Sequence, residues 1–109
     1  MNSFNHSKLS VLDISSNQIT KWESIQTLSC LPSLHTLFIN GNPLLTDDLH
    51  YDFPSIHFLD VNDMNISSIE QLQTLIFHFP ALTELEVRRN PFYIQEPARE
   101  VRDSIELNE

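Results

Sequence analysis

Cysteine, glycine, basic residues and long apolar runs are all scarce in this chain, and each scarcity removes a class of function. Its 109 residues include one cysteine, Cys30, so neither a disulfide framework nor a paired-cysteine metal site can be built. With Gly41 as the only glycine there is no glycine-rich phosphate loop. Nucleophile-elbow and HExxH motifs are missing too, and the carboxylates are scattered along the chain, so the expectation is a non-enzyme without a cofactor. No apolar run approaches the ~18 residues of a membrane span, and MNSFNHSKLS has neither the basic start nor the apolar stretch of a secretory signal. The expected setting is cytoplasmic.

Lysine and arginine are absent from the whole interval between Lys21 and Arg88, into which nine acidic residues fall. The formal charge of -9 is therefore concentrated in the middle, with Arg88, Arg89, Arg99 and Arg102 clustered near the C-terminus. Such a middle repels phosphate backbones and anionic lipid, which disfavours nucleic-acid and membrane roles and suits a basic protein surface.

What the chain has in quantity is one spacing. Leu34, Leu37, Ile39, Asn42 and Leu44 sit at the offsets LxxLxLxxNxL, and three more segments repeat them. Leu9, Leu12, Ile14, Asn17 and Ile19 form the first copy; Ile56, Leu59, Val61 and Ile66 form the third; Leu82, Leu85, Val87, Asn90 and Phe92 form the fourth. The copies start at 9, 34, 56 and 82, giving steps of 25, 22 and 26, inside the 20–29 range of leucine-rich repeats. The expected fold is an α/β leucine-rich-repeat solenoid of about four repeats (9–33, 34–55, 56–81 and 82–95). A loose segment 1–8 precedes it and a C-terminal capping helix and tail over 96–109 follow it.

In each copy LxL predicts a short strand whose leucines point inward while the alternate residues face the concave side. Those outward residues are Val11, Asp13 and Ser15; Thr36, Phe38 and Asn40; Phe58, Asp60 and Asn62; and Glu84, Glu86 and Arg88. The asparagines that follow, Asn17, Asn42 and Asn90, can satisfy turn backbone groups and stack into a ladder. Met64 interrupts that ladder with Asn65 one place out of register, which predicts a locally rearranged turn. Thr20 with Glu23 and Ser67 with Glu70 have capping-box spacing. They predict helices carrying Trp22, Ile25, Leu28 and Leu31, and Ile69, Leu72, Leu75, Ile76 and Phe79, on the convex side. The connector LTDDLHYDFPS predicts only a turn or two begun at Thr46, burying Leu49 and Phe53. Pro97 opens the last helix, with Ala98, Val101 and Ile105 inward. Cys30, late on the first helix, is expected to be buried.

Phe38 and Phe58 fall on neighbouring strands of a face that is otherwise solvated, and clustered exposed aromatics mark protein contacts. Asp13, Asp60, Glu84 and Glu86 flank them and could meet a basic partner; Asn40, Asn62 and Arg88 complete the expected partner-binding face. His35 and His57 share one template position in adjacent repeats, about 4.8 Å apart, but no further ligand is in register, so no metal site is expected. Nothing polar caps Leu9, Leu12 and Ile14, which leaves the first strand's edge open to self-association or to another chain.

The segments SSNQITKWESIQTLSCLPSLHTLFINGNPL and FPALTELEVRRNPF resemble the leucine-rich-repeat domain of tubulin-folding cofactor E and its relatives. The resemblance is carried by Asn17-Gln18-Ile19, Trp22, Leu31-Pro32-Ser33-Leu34, Asn42-Pro43-Leu44 and Asn90-Pro91-Phe92. It implies a chaperone-type module that binds tubulin in the folding or turnover of its dimer, in the cytoplasm. Phosphatase-regulatory and histone-binding repeats use similar elements and remain alternatives, as does a self-associating scaffold.

Overall fold

The computed structural model describes residues 8–92 and 104–106. Four short strands, β1 (Val11–Asp13), β2 (Thr36–Phe38), β3 (Phe58–Asp60) and β4 (Glu84–Glu86), pair in parallel in chain order. Their register is the one the repeat spacing dictates: Leu12, Leu37, Leu59 and Leu85 are aligned across the sheet. Because successive side chains in a strand alternate sides, this one alignment sends every leucine of the row inward and its two neighbours outward. Leu37, Leu59 and Leu85 are fully buried, as are Ile39, Val61 and Val87 two residues further on.

A fifth strand, β5 (Ser104–Glu106), runs antiparallel along β4, with Ile105 opposite Leu85. The helix expected over 96–109 is thus not formed at Ile105, where the chain is extended; Ala98 and Val101 lie outside the described residues. The outer edge of β4 offers unpaired backbone groups, and a strand supplies the ladder partners that a helix cannot.

Between the strands the chain crosses behind the sheet by three different connectors. The first is a 3-10 segment, Trp22–Cys30, kinked at Ile25, where φ and ψ leave the helical range. Its N-cap is Lys21, which has no side-chain oxygen, so the Thr20–Glu23 capping box does not form. Ser24, Ile25, Thr27 and Ser29 are weak α-helix formers, which accounts for the tighter, broken turn. Cys30 emerges exposed, contrary to expectation.

The second connector has only the short 3-10 turn Thr46–Asp48, with Leu49 and Phe53 buried. The third is a true α-helix, α1 (Ile69–Phe77). Its cap is displaced by one residue from the sequence reading. Ser68 Oγ accepts the Gln71 N–H at 3.1 Å, and Gln71 Oε1 accepts from the Ser67 N–H at 2.7 Å. That shift puts Leu72 and Leu75 inside and leaves Ile69 exposed.

The connectors meet through one aromatic side chain each. Phe53 stacks on Phe79 with ring centroids 4.9 Å apart and planes within 7°, and Trp22 lies 6.2 Å from Phe53 on the other side. All three rings are buried, and Trp22 Nε1–H donates to the Leu45 carbonyl at 2.9 Å, so its one polar atom is satisfied inside.

The asparagine ladder joins the turns after the strands. Asn42 Oδ1 accepts from the N–H groups of Asn17 and Ile19, and its Nδ2 donates to the carbonyls of Ile14 and Ile39. Asn90 does the same two intervals later, accepting from Met64 and Ile66 and donating to Val61 and Val87. Each asparagine therefore holds the turn of the preceding copy. This corrects the expectation at Met64. Its turn keeps the form of the first copy, with positive φ at Asp63 and Asn65 as at Ser16 and Gln18, because Asn90 supplies what that turn needs. The loss is felt one copy earlier, where Met64 offers nothing to the second turn and Leu44 N–H closes on Asn42's own carbonyl at 2.8 Å. In that turn positive φ falls on Gly41 alone, since Pro43 is locked at negative φ.

Candidate functional site

The outer face of the sheet carries every residue that the spacing assigns to the concave side, in three rows across the strands. The first row is Val11, Thr36, Phe58 and Glu84; the second is Asp13, Phe38, Asp60 and Glu86. The third row, Ser15, Asn40, Asn62 and Arg88, follows just beyond the strand ends.

The structure divides the nine expected contact residues into two groups. Asp60, Asn62 and Asn40 are engaged with each other and with the turns. Asp60 Oδ2 accepts from Asn40 Nδ2 at 2.7 Å and its Oδ1 from the Asn62 N–H at 3.0 Å, and Asp60 is only 4% exposed. Asn62 Oδ1 in turn accepts the Arg88 N–H at 2.6 Å, while its Nδ2 points at Glu86 Oε1 at 3.5 Å, a long contact. These polar side chains fasten one strand end to the next, and the buried Asp60 is not presented to solvent as a surface charge.

The second group faces outward. Phe38 and Phe58 are half-buried with ring centroids 5.6 Å apart and planes inclined by 47°, a tilted pair in the favourable range. Asp13 and Arg88 are exposed, and Glu84 and Glu86 are partly so. The hydroxyl and then the backbone N–H of Ser15, beside Asp13, hold the Asp13 carboxyl below the ordinary carboxylate range. The face is thus apolar across its centre and acidic at both flanks.

One signal for the first group was present in the chain. Asp13-x-Ser15 and Asp60-x-Asn62 are Asp-x-polar pairs of the kind that bond a carboxylate to the N–H two residues on, and both do so at 3.0 Å. The link from Asn40 to Asp60 crosses between copies and has no such local sign.

His35 and His57 are exposed and take separate local partners, the Thr36 hydroxyl at 2.9 Å and the Ser55 carbonyl at 3.0 Å. Among the described residues no three His, Cys, Asp or Glu side chains gather in a way that could hold a metal. No helix among them is long and apolar enough to cross a membrane. A pair absent from the sequence reading, His78 Nδ1 with Asp52 Oδ1 at 2.9 Å, joins the end of α1 to the second connector.

Residues 7–52 match the family model of leucine-rich repeats in two copies. A leucine-rich repeat protein of Acanthamoeba polyphaga mimivirus is 36% identical over 76 residues, which are 70% of this chain and 17% of that protein. The chain thus spans about a sixth of the length of that curated relative. No solved structure matches. The spacing, the parallel sheet and these matches make the chain similar to leucine-rich repeat proteins, whose repeats generally mediate protein–protein interaction.

Proposed function

We propose that residues 9–95 form four turns of one leucine-rich-repeat solenoid whose concave face binds a protein partner in the cytoplasm. The observation that carries this reading is the Phe38–Phe58 pair, two aromatic rings on the outward side of a sheet whose inward side already buries the core. Aromatic side chains bury large areas on contact at small entropic cost and so anchor interfaces. The acidic flanks favour a basic surface on the partner. Tubulin is the partner put forward by the resemblance to cofactor E, with phosphatase and histones as the alternatives from related repeats. Capture from cytosol by the wild-type chain and by a Phe38→Ser/Phe58→Ser variant, probed for these three, tests both levels. Retention of the partner by the double variant refutes the concave-face reading, and a partner other than tubulin refutes the finer one.

A second reading rests on the first copy. Leu12, Ile14 and Ile19 are only partly buried, whereas Leu37, Ile39 and Leu44, their counterparts in the second copy, are at most 2% exposed. Leu9 and Val11 beside them are 40% and 50% exposed. In this reading the N-terminal edge self-associates through β1. Sedimentation decides it: a monomer at all concentrations removes the idea.

A further inference from the structure

We infer that Asp13, Phe38, Phe58 and Glu84 form a single track across the sheet that takes an extended segment of a partner protein carrying basic, apolar and basic side chains at alternate positions. The inference rests on the protein-binding reading and names the chemistry of the ligand.

The order of residues across the strands is what selects it. Asp13 on β1 is opposite Phe38 on β2, and Phe58 on β3 is opposite Glu84 on β4, so a diagonal runs carboxylate, ring, ring, carboxylate. The two rings touch in its middle. Three strand intervals of ~4.8 Å and one two-residue step of ~6.6 Å along the strands separate the ends of the diagonal by about 16 Å. An extended peptide advances ~3.3 Å per residue, so residues i and i+4 are about 13 Å apart and share a face with i+2. The long, flexible stems of lysine or arginine cover the remaining ~3 Å, so a cation at i, an apolar side chain at i+2 and a cation at i+4 fall on Asp13, on the ring pair and on Glu84.

Asp60 does not enter the track because Asn40 and Asn62 engage both its oxygens. Among the described residues no competing cation lies within the span of the track, since no lysine or arginine occurs between Lys21 and Arg88. Arg88 lies four residues beyond Glu84, past the end of β4, and Arg89 is paired with Asp63 at 2.9 Å. Phenylalanine faces also attract cations, which reinforces basic groups at either side of the pair.

The test uses the full chain, isotope-labelled, titrated by NMR with the acetylated and amidated peptide Arg-Ala-Leu-Ala-Arg. Shifts are expected at residues of β1 to β4 on the outer face, with millimolar binding that weakens as salt is raised. Asp13→Asn/Glu84→Gln is expected to weaken binding roughly ten-fold, since each exposed pair is worth a factor of about three. Arg-Ala-Ala-Ala-Arg should also bind more weakly, and Glu-Ala-Leu-Ala-Glu should not bind. Equal binding of the acidic peptide, shifts confined to another surface, or unchanged affinity in the carboxylate variant each overturn the inference. If the phenylalanine variant loses the cytosolic partner while the carboxylate variant keeps it in full, protein binding stands and the basic ligand falls.

Discussion

Removing the asparagines one at a time should give graded losses of stability, because the three occupy one template position in three different surroundings. Asn90 is 2% exposed, and besides the carbonyl of exposed Arg88 its side chain bonds to Met64, Ile66, Val61 and Val87, all of them buried. Asn90→Ala strands two N–H and two carbonyl groups where water does not reach, and at ~1 kcal/mol for each net bond the loss is about 4 kcal/mol. Asn42 is as well buried, but the N–H groups it accepts belong to exposed Asn17 and half-buried Ile19, which water can reach in its place. Asn42→Ala should therefore cost about 2 kcal/mol. Asn17 is exposed and donates only to Ile14 and Ser15 of its own turn, so Asn17→Ala should cost under ~1 kcal/mol. Urea unfolding followed by far-ultraviolet circular dichroism, with Trp22 fluorescence as a second probe, measures all three. An Asn42→Ala loss equal to or above that of Asn90→Ala, or losses below ~1 kcal/mol throughout, would refute the view that the ladder works by sheltering buried turn groups.

Phe53 is fully buried between Trp22 and Phe79, so Phe53→Ala should cost about 3–5 kcal/mol and shift Trp22 emission to the red. A change below ~1 kcal/mol with unaltered emission would mean that the three rings do not join the connectors. Asp13 gives a pH-dependent prediction. Its native pKa lies below the ordinary 3.8, so its contribution is fully present above that value and is lost as pH falls through the lower native pKa. Asp13→Asn should therefore flatten the acid limb of the stability profile by lowering stability at neutral pH, and leave it nearly unchanged at acid pH, where the wild-type carboxyl is already protonated. Direct NMR titration of the carboxyl giving a value of 3.8 or higher would contradict it.

The strands and their register were legible because an inward row of leucines leaves few alternatives: one slip would turn Leu12, Leu37, Leu59 and Leu85 outward together. The caps were less legible, since Ser67 with Glu70 and Ser68 with Gln71 satisfy the same spacing one residue apart. The phase that buries Leu72 and Leu75 decided between them, at the expense of Ile69. The turn at Met64 is held not by its own side chain but by Asn90, 26 residues later, which no local pattern signals. An α-helical period puts Cys30 inside, and the kinked 3-10 segment, which does not follow that period, leaves it exposed. In the candidate site, the aromatic pair followed from strand adjacency, whereas the engagement of Asp60 depended on Asn40, a contact between copies.

That engagement bears on how such a face can encode a partner. In each copy the inward leucines are constrained by the core, and the ladder asparagines by the neighbouring turn. The third outward position is partly constrained too, since Asn40 and Asn62 bind the next strand's carboxylate and Asn62 also receives the Arg88 N–H. The two strand positions beside each inward leucine are left, and in the third copy one of them, Asp60, is already committed. On the proposed reading, partner choice falls to a small set of side chains, chiefly Val11, Asp13, Thr36, Phe38, Phe58, Glu84 and Glu86. Substitutions there can change binding with little effect on folding because those side chains carry few of the contacts that hold the copies together. The same reasoning makes Asp60→Asn a poor probe of partner charge: it alters a buried contact with Asn40, so its first effect falls on the alignment of β2 with β3.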